Sequence, residues 1–287
     1  MCGIVGFTGN HQAAPILLDG LSKLEYRGYD SAGLAVRDGE HLSQVVKAKG
    51  RLSNLSEKTD SGKALKGTCG IGHTRWATHG EPSDINSHPH GNKRVTIVHN
   101  GIIENYKQIK DFLIDEGYSF VSETDTETVA KLLDYYYVDD PVDTIIKVLS
   151  EIKGSYALGI MFRDYPDRIF AVRKDSPLIV GIGENENFIA SDVPAIIKYT
   201  RDYCLLEQNE IAVVKKDSVD FYNMHKEHMK KEIHTADWDV DAAEKGGYEH
   251  FMLKEIHEQP AVVRDTVSPR IVDNMPDFSS DGIDIAK

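Results

Sequence analysis

Met1-Cys2-Gly3-Ile4-Val5-Gly6-Phe7 opens the chain, and the fold turns on how this stretch is read. Removal of Met1 would leave a cysteine whose thiol and free α-amino group belong to one residue. A thiol titrates at about 8.5 and an α-amine at about 7.7 to 8.0, so near neutral pH part of the amine is free to accept a proton. Nucleophile and base then need no histidine between them. Gly3 and Gly6 flank Ile4-Val5, a short apolar run able to carry the terminus into a sheet. The alternative is a small buried residue without chemistry, and these seven residues leave both readings open.

Composition narrows the function classes. A chain of 287 residues with 40% hydrophobic and 28% charged residues can bury a substantial core. The formal charge of −13, with no Lys/Arg cluster against it, argues against nucleic acid as a partner. Three cysteines, Cys2, Cys69 and Cys204, fit a reducing compartment better than a disulfide scaffold. No run of about 18 apolar residues and no basic leader occurs, so membrane association is not expected and a soluble cytoplasmic protein is.

Outward from the terminus, Ile16, Leu17, Leu21 and Leu24 fall at helical spacing. Strand-like runs follow at Ala32–Val36, Leu42–Val46, Thr68–His73 and Val95–His99. Helical periodicity returns from Ile102-Ile103 through Leu113 and again from Val129 through Tyr137, predicting two adjacent helices. After Gly154 come Tyr156–Phe162, Arg168–Val172, Leu178–Gly183, Phe188–Ser191, Glu210–Val214 and Val219–Tyr222, read as strands. Strands before and after a helical block predict sheets packed face to face with helices outside. Residues Tyr248–Val267 read as a helix, and the tail from Ser268 reads as a linker.

Three segments concentrate chemistry. Gly72-His73-Thr74-Arg75-Trp76-Ala77-Thr78-His79-Gly80 packs a guanidinium, an indole and two imidazoles into nine positions. Arg75 can grip a carboxylate bidentately, or it can be a surface arginine beside a Trp76 core anchor. In His99-Asn100-Gly101 the Asn amide and the Gly N–H can converge on one oxygen as an oxyanion hole, or the pair can be a plain Asn-Gly turn. Thr124 with Glu127 fits a capping box, freeing Asp125 for a substrate ammonium or for the helix dipole alone. His73, His79, His88, His90 and His99 crowd one region. Without HExxH or paired CxxC spacing, however, no metal is expected, and no nucleotide or other cofactor has a fingerprint.

Taken together, CGIVGF at the terminus, LEYRGYDSAGLAV at 24–36, GHTRWATHGEPS at 72–83, HNGIIENY at 99–106 and SETDTE at 122–127 resemble the glutaminase domain of the glutamine–fructose-6-phosphate aminotransferase family. The likeness continues through GSYALGIMF at 154–162, ENFIASD at 186–192 and YEHFMLKEIHEQP at 248–260. Related class II amidotransferases share the N-terminal cysteine and the Asn-Gly pair, but the HTRWATHGEP and MLKEIHEQP wording looks like the sugar enzyme.

The resemblance implies an α+β fold of the N-terminal nucleophile hydrolase type, a four-layer αββα sandwich of two antiparallel sheets between helices. It implies a glutaminase domain over 2–240, a helical segment over 241–267 and a linker over 268–287 toward sugar-isomerase domains that this chain does not include. L-glutamine is the implied substrate, with fructose 6-phosphate met only through those domains, and the full-length enzyme is expected to be a homo-oligomer. By position, Cys2 would be the nucleophile, and Asn100 with the Gly101 N–H would hold the oxyanion. Arg75 would bind the α-carboxylate with Thr78 and His79, and Asp125 the α-ammonium. Trp76 would belong to a closing loop, and Arg27 would lie near the nucleophile. While Met1 stays attached, the amine does not exist and this mechanism cannot run.

Overall fold

Alternation of side chains along single strands builds the layers. In the segment 154–162, Tyr156, Leu158, Ile160 and Phe162 enter one apolar cluster, while Ala157 and Met161 enter another. Residues 169–172 and 211–214 split the same way, so both faces of this sheet are covered. A computed structural model gives the structure and describes residues 2–39, 42–91, 93–237 and 247–283. The chain divides into two compact units, Met1–Asp237 and Trp238–Lys287.

The first unit runs β1 (Gly3–Thr8), α1 (Ala13–Ser22), β2 (Ser31–Arg37), β3 (Gln44–Lys49), α2 (Leu52–Lys58), β4 (Cys69–Arg75), β5 (His90–Gly91) and β6 (Val95–Ile103). Three helices follow, α3 (Tyr106–Asp115), α4 (Asp125–Tyr136) and α5 (Pro141–Leu149). Then come β7 (Gly154–Phe162), β8 (Arg168–Lys174), β9 (Ile179–Ile182), β10 (Asn187–Ala190), β11 (Asp202–Leu205), β12 (Ile211–Lys215), β13 (Val219–Tyr222), β14 (His228–Met229) and β15 (His234–Thr235).

Two antiparallel sheets result. One has the order β15-β11-β9-β10-β1-β4-β2-β3, and the other β14-β13-β12-β8-β7-β6-β5. Ile4, Ile71, Val180 and Ile189 of the first meet Val98, Ala157, Ile169 and Ala212 of the second in a shared core. Small residues let the sheets approach: a Cβ added at Gly159 would lie 2.8 Å from Ile189 Cδ1 across the interface. The outer face of the second sheet is covered by Leu113 of α3, Leu132 and Leu133 of α4 and Ile145 of α5. On the first sheet, Leu17 and Leu21 of α1 reach within contact of Gly70 and Gly72 of β4. The expected α+β sandwich of two antiparallel sheets between helices is therefore observed.

Several element boundaries differ from expectation. Ile102 and Ile103 extend β6 instead of starting a helix, because Asn100, Gly101, Ile102 and Ile103 pair in register with Ala157, Tyr156, Ser155 and Gly154. The plain-turn reading of Asn100-Gly101 falls with this. The strand expected at Leu42–Val46 lies at Gln44–Lys49, and α2, α5 and β11 were not anticipated.

In the second unit, α6 spans Phe251–Val267, followed by a hairpin of β16 (Ile271–Val272) and β17 (Met275–Pro276) in the segment expected as a linker. The domain boundary at 240 and the start of the helical segment at 241 lie outside the described residues, as does the state of Met1. Among the described residues no helix is long and apolar enough to cross a membrane.

Candidate active site

Cys2 precedes β1, which lies between β10 and β4 with Gly3 opposite Thr74. Its sulfur is bracketed by one residue at the end of β4. The Trp76 backbone N–H donates to Sγ at 3.2 Å, and the Trp76 carbonyl lies 3.6 Å from it as an acceptor. Burial pushes the thiol above its ordinary range, against the Trp76 hydrogen bond and the Arg75 charge, while Asp30 adds to the rise. The net effect of these surroundings is to disfavour the thiolate.

Two cavities meet at this sulfur. One, of about 20 Å³, is lined by Arg75, Thr78, His79, Asp125 and Gly101 together with Cys2 and Trp76. That is room for about one water molecule. The other, of about 400 Å³, is lined by Cys2, Arg27, Trp76, Thr78, Asn100 and Gly101, with Ser176 and Pro177 on its far wall. All nine residues singled out from sequence line one or both.

Each is held by a different device. Arg75, 3% exposed, spans the loop after its own strand: Nη2 donates to the carbonyls of His79 and, at 3.0 Å, Gly80, and Nη1 reaches Glu81 O at 3.5 Å. Its guanidinium thus closes the 76–81 loop as well as facing the cavity, and the surface-arginine reading fails. Trp76 is 48% exposed and packs edge-on against Tyr29 at 5.5 Å, so it is no core anchor. Asp30 fixes this loop from below, Oδ2 accepting the Ala77 N–H at 2.5 Å. Arg27 donates to Asp192 Oδ2 at 2.5 Å and sits at the wall of the larger cavity.

Asp125 is the first residue of α4, and Thr124 caps the helix by accepting the Glu127 N–H at 3.3 Å. The capping box is incomplete, since the Glu127 carboxylate accepts from Val121 and Ser122 N–H rather than from Thr124. Asp125 Oδ2 accepts the Ile103 N–H at 2.8 Å and ties α4 to the end of β6. Along that edge of β6 the His99 N–H donates to His88 Nδ1 at 3.3 Å. By strand alternation the Gly101 N–H, between those two, faces the same side, into the cavity. Gly101 has φ 130°, and a Cβ there would lie 2.1 Å from Ser155 O, so no other residue fits.

Asn100 is tied on the side of the larger cavity. Its Nδ2 donates to Cys2 O and to Ser191 Oγ, each at 3.0 Å, which commits both amide hydrogens. It holds the Cys2 backbone, and either hydrogen can reach another acceptor only by releasing one of those two. Ser191, Asp30 and His73 complete the framework without having been assigned roles from sequence. Ser191 Oγ accepts from Ile4 N–H, a partner 187 positions away, and no local pattern signals such a contact.

The clustered histidines are tied up one at a time. His73 stacks on His88 at 4.1 Å between ring centroids, and His90 Nε2 pairs with Thr124 Oγ1. His99 Nδ1 pairs with Thr126 Oγ1. Burial pulls His73 down to about 3 and holds His88 and His90 well below the ordinary range. It lowers His99 as well, against the Asp125 carboxylate 3.9 Å away. Among the described residues no group of three or more His, Cys, Asp or Glu side chains is arranged to hold a metal ion.

Residues 73–198 match the glutamine amidotransferase domain family. Over 289 aligned residues spanning the whole chain, the protein is 58% identical to a glutamine–fructose-6-phosphate aminotransferase [isomerizing] of Caldanaerobacter subterraneus subsp. tengcongensis. It is 54% identical to the protein of the same name from Clostridium tetani. In both cases the match covers 47% of the relative, so the chain spans about half the length of these curated relatives. Among solved structures, the glutamine phosphoribosylpyrophosphate amidotransferase of B. subtilis matches 78% of this chain and 49% of its own, with a TM-score of 0.68 at 26% identity. A structure described as the allosteric regulatory enzyme of purine biosynthesis gives 0.69 at 27%, with the same coverage.

Proposed function

We propose, from its similarity to the glutamine amidotransferase domain family over residues 73–198 and to curated relatives at 54–58% identity, that the chain hydrolyses L-glutamine to L-glutamate and ammonia with Cys2 as nucleophile. The observation that carries this is the convergence of Cys2, Arg75, Asp125 and Gly101 on one cavity.

With Met1 removed, the α-amine of Cys2 takes the thiol proton, and the sulfur attacks the side-chain amide carbon of glutamine. The Gly101 N–H receives the oxyanion first, and an Asn100 amide hydrogen joins it by leaving Ser191 Oγ or Cys2 O. Collapse of the tetrahedral adduct expels ammonia, which takes the proton from the α-ammonium and leaves a γ-glutamyl thioester. Water then attacks that thioester, the amine accepting its proton. Glutamate departs, and the proton returns to sulfur. Arg75 and Asp125 hold the α-carboxylate and α-ammonium at the other end of the substrate, with Thr78 and His79 beside them. The small cavity as it stands holds about one water, and an outward swing of the loop bearing Trp76 would open it to glutamine.

In the longer protein the released ammonia aminates fructose 6-phosphate to glucosamine 6-phosphate on domains beyond this chain. The match to relatives of about twice the length supports this. The glutaminase domain, a cytoplasmic location and a homo-oligomeric full-length enzyme belong to the same proposal. The test is glutamate release by protein lacking Met1. Turnover that a Cys2→Ala control lacks, and that a chelator leaves untouched, supports the thiol mechanism. Glutamate at the control level would reduce the domain to a binding module, and loss of activity with chelator would point to a metal.

A further inference from the structure

An asparagine amide works as a donor only if its NH2 edge points the right way, and rotation by half a turn exchanges oxygen for nitrogen. At Asn100 both possible acceptors on the site side, Cys2 O and Ser191 Oγ, lie 3.0 Å from one amide atom. The opposite atom lies 2.9 Å from His73 Nε2. That ring nitrogen is also 3.0 Å from His99 O, which can only accept. Nε2 must therefore carry the proton, and the Asn100 atom facing it must be the oxygen. His73 is fully buried, lines neither cavity, stacks on His88, and leaves Nδ1 without a hydrogen-bond partner.

We infer that His73 is a positioning residue, whose neutral Nε2–H locks the Asn100 side-chain amide with its donor edge toward Cys2 and the reacting oxygen. A half-turn of Asn100 would set Oδ1 against Cys2 O and the NH2 group against the His73 N–H, replacing attractive contacts by repulsive ones. Burial favours the neutral ring, with its pKa pulled down to about 3, and the two acceptors at Nε2 select the Nε2–H tautomer of that neutral form. Ser191 completes the arrangement by holding the second amide hydrogen.

The inference rests on the glutaminase reading for its kinetic consequence, and the test separates the two. His73→Gln places an amide N–H where Nε2 stands, whereas His73→Asn places one near Nδ1, where there is no partner. Relative to wild type, His73→Asn should lower kcat for glutamine hydrolysis by about tenfold to a hundredfold with KM within about threefold. His73→Gln should stay within about threefold in both. In an Asn100→Ala background, His73→Asn should add no further loss. Equal losses for both variants, or a loss that persists without Asn100, would overturn the inference in favour of packing alone.

Should wild-type protein show no turnover, the functional reading fails, and NMR decides the positioning on its own terms. In 15N-labelled wild-type protein His73 should be the Nε2–H tautomer from about pH 5 to 8. The Asn100 side-chain amide signals should shift in His73→Asn and hold in His73→Gln. A Nδ1–H tautomer, or Asn100 signals indifferent to both variants, would refute it.

Discussion

Arg75 and Asn100 each serve two masters, and their variants should separate accordingly. Arg75→Ala removes the proposed carboxylate contact, made in ground and transition states alike, so KM for glutamine should rise far more than kcat falls. It also strands the carbonyls of the 79–81 loop, and Arg75→Lys should rescue poorly because one ammonium cannot span them. Asn100→Ala should instead lower kcat by about a hundredfold or more with little change in KM. Steady-state kinetics on the two variants checks this division, and identical patterns would remove it. That these residues line the cavities at Cys2 was legible because polar groups are concentrated within short segments. His73 stood in one of those segments without an assigned role, since only the tertiary contact to Asn100 shows what its Nε2 does.

At the level of elements, the N-terminus of α4 and the end of β6 beyond its pairing with β5 together line the small cavity beside Cys2. Thr124→Ala should lower stability by about 1 kcal/mol through loss of the cap. A larger loss is expected if the His90 Nε2 contact to the same hydroxyl matters, and a thermal melt with denaturant titration reads both. The start of α4 was readable from Ser122-Glu123-Thr124-Asp125 and was found where expected. The continuation of β6 was misread because Ile102 and Ile103 also fit a helical stripe with Tyr106 and Ile109. Pairing with Gly154 and Ser155 overrode that period, and such a partner 50 residues away is invisible locally. Helix α5 carried its own signal in Asp140-Pro141, a cap followed by proline at the first turn.

For the molecule as a whole, the sandwich was legible from period-two strands around a helical block, because each sheet face must find a partner layer. Strand order was not, since β1 lies between strands distant in sequence, β4 and β10. The buried histidines give this fold a pH limit. Held neutral with pKa values depressed below their unfolded value of about 6.5, they stabilise the fold fully above that pH and withdraw stability as pH falls toward the folded values. Each such group costs about 1.4 kcal/mol per pH unit in that window. The melting temperature should therefore drop steeply between about pH 6.5 and 4.5, and a flat profile would mean that the rings are not held neutral.

Activity should fall over a neighbouring range for a separate reason: the proposed base is an α-amine of reference pKa about 7.7 to 8.0, so kcat/KM should climb from about pH 6 to 8.

The central claim is that one residue supplies both sulfur and base. Glutamate release from L-glutamine should be compared between protein beginning at Cys2 and protein in which Met1 is retained. The account predicts turnover only in the former. Equal turnover by the two forms would contradict it.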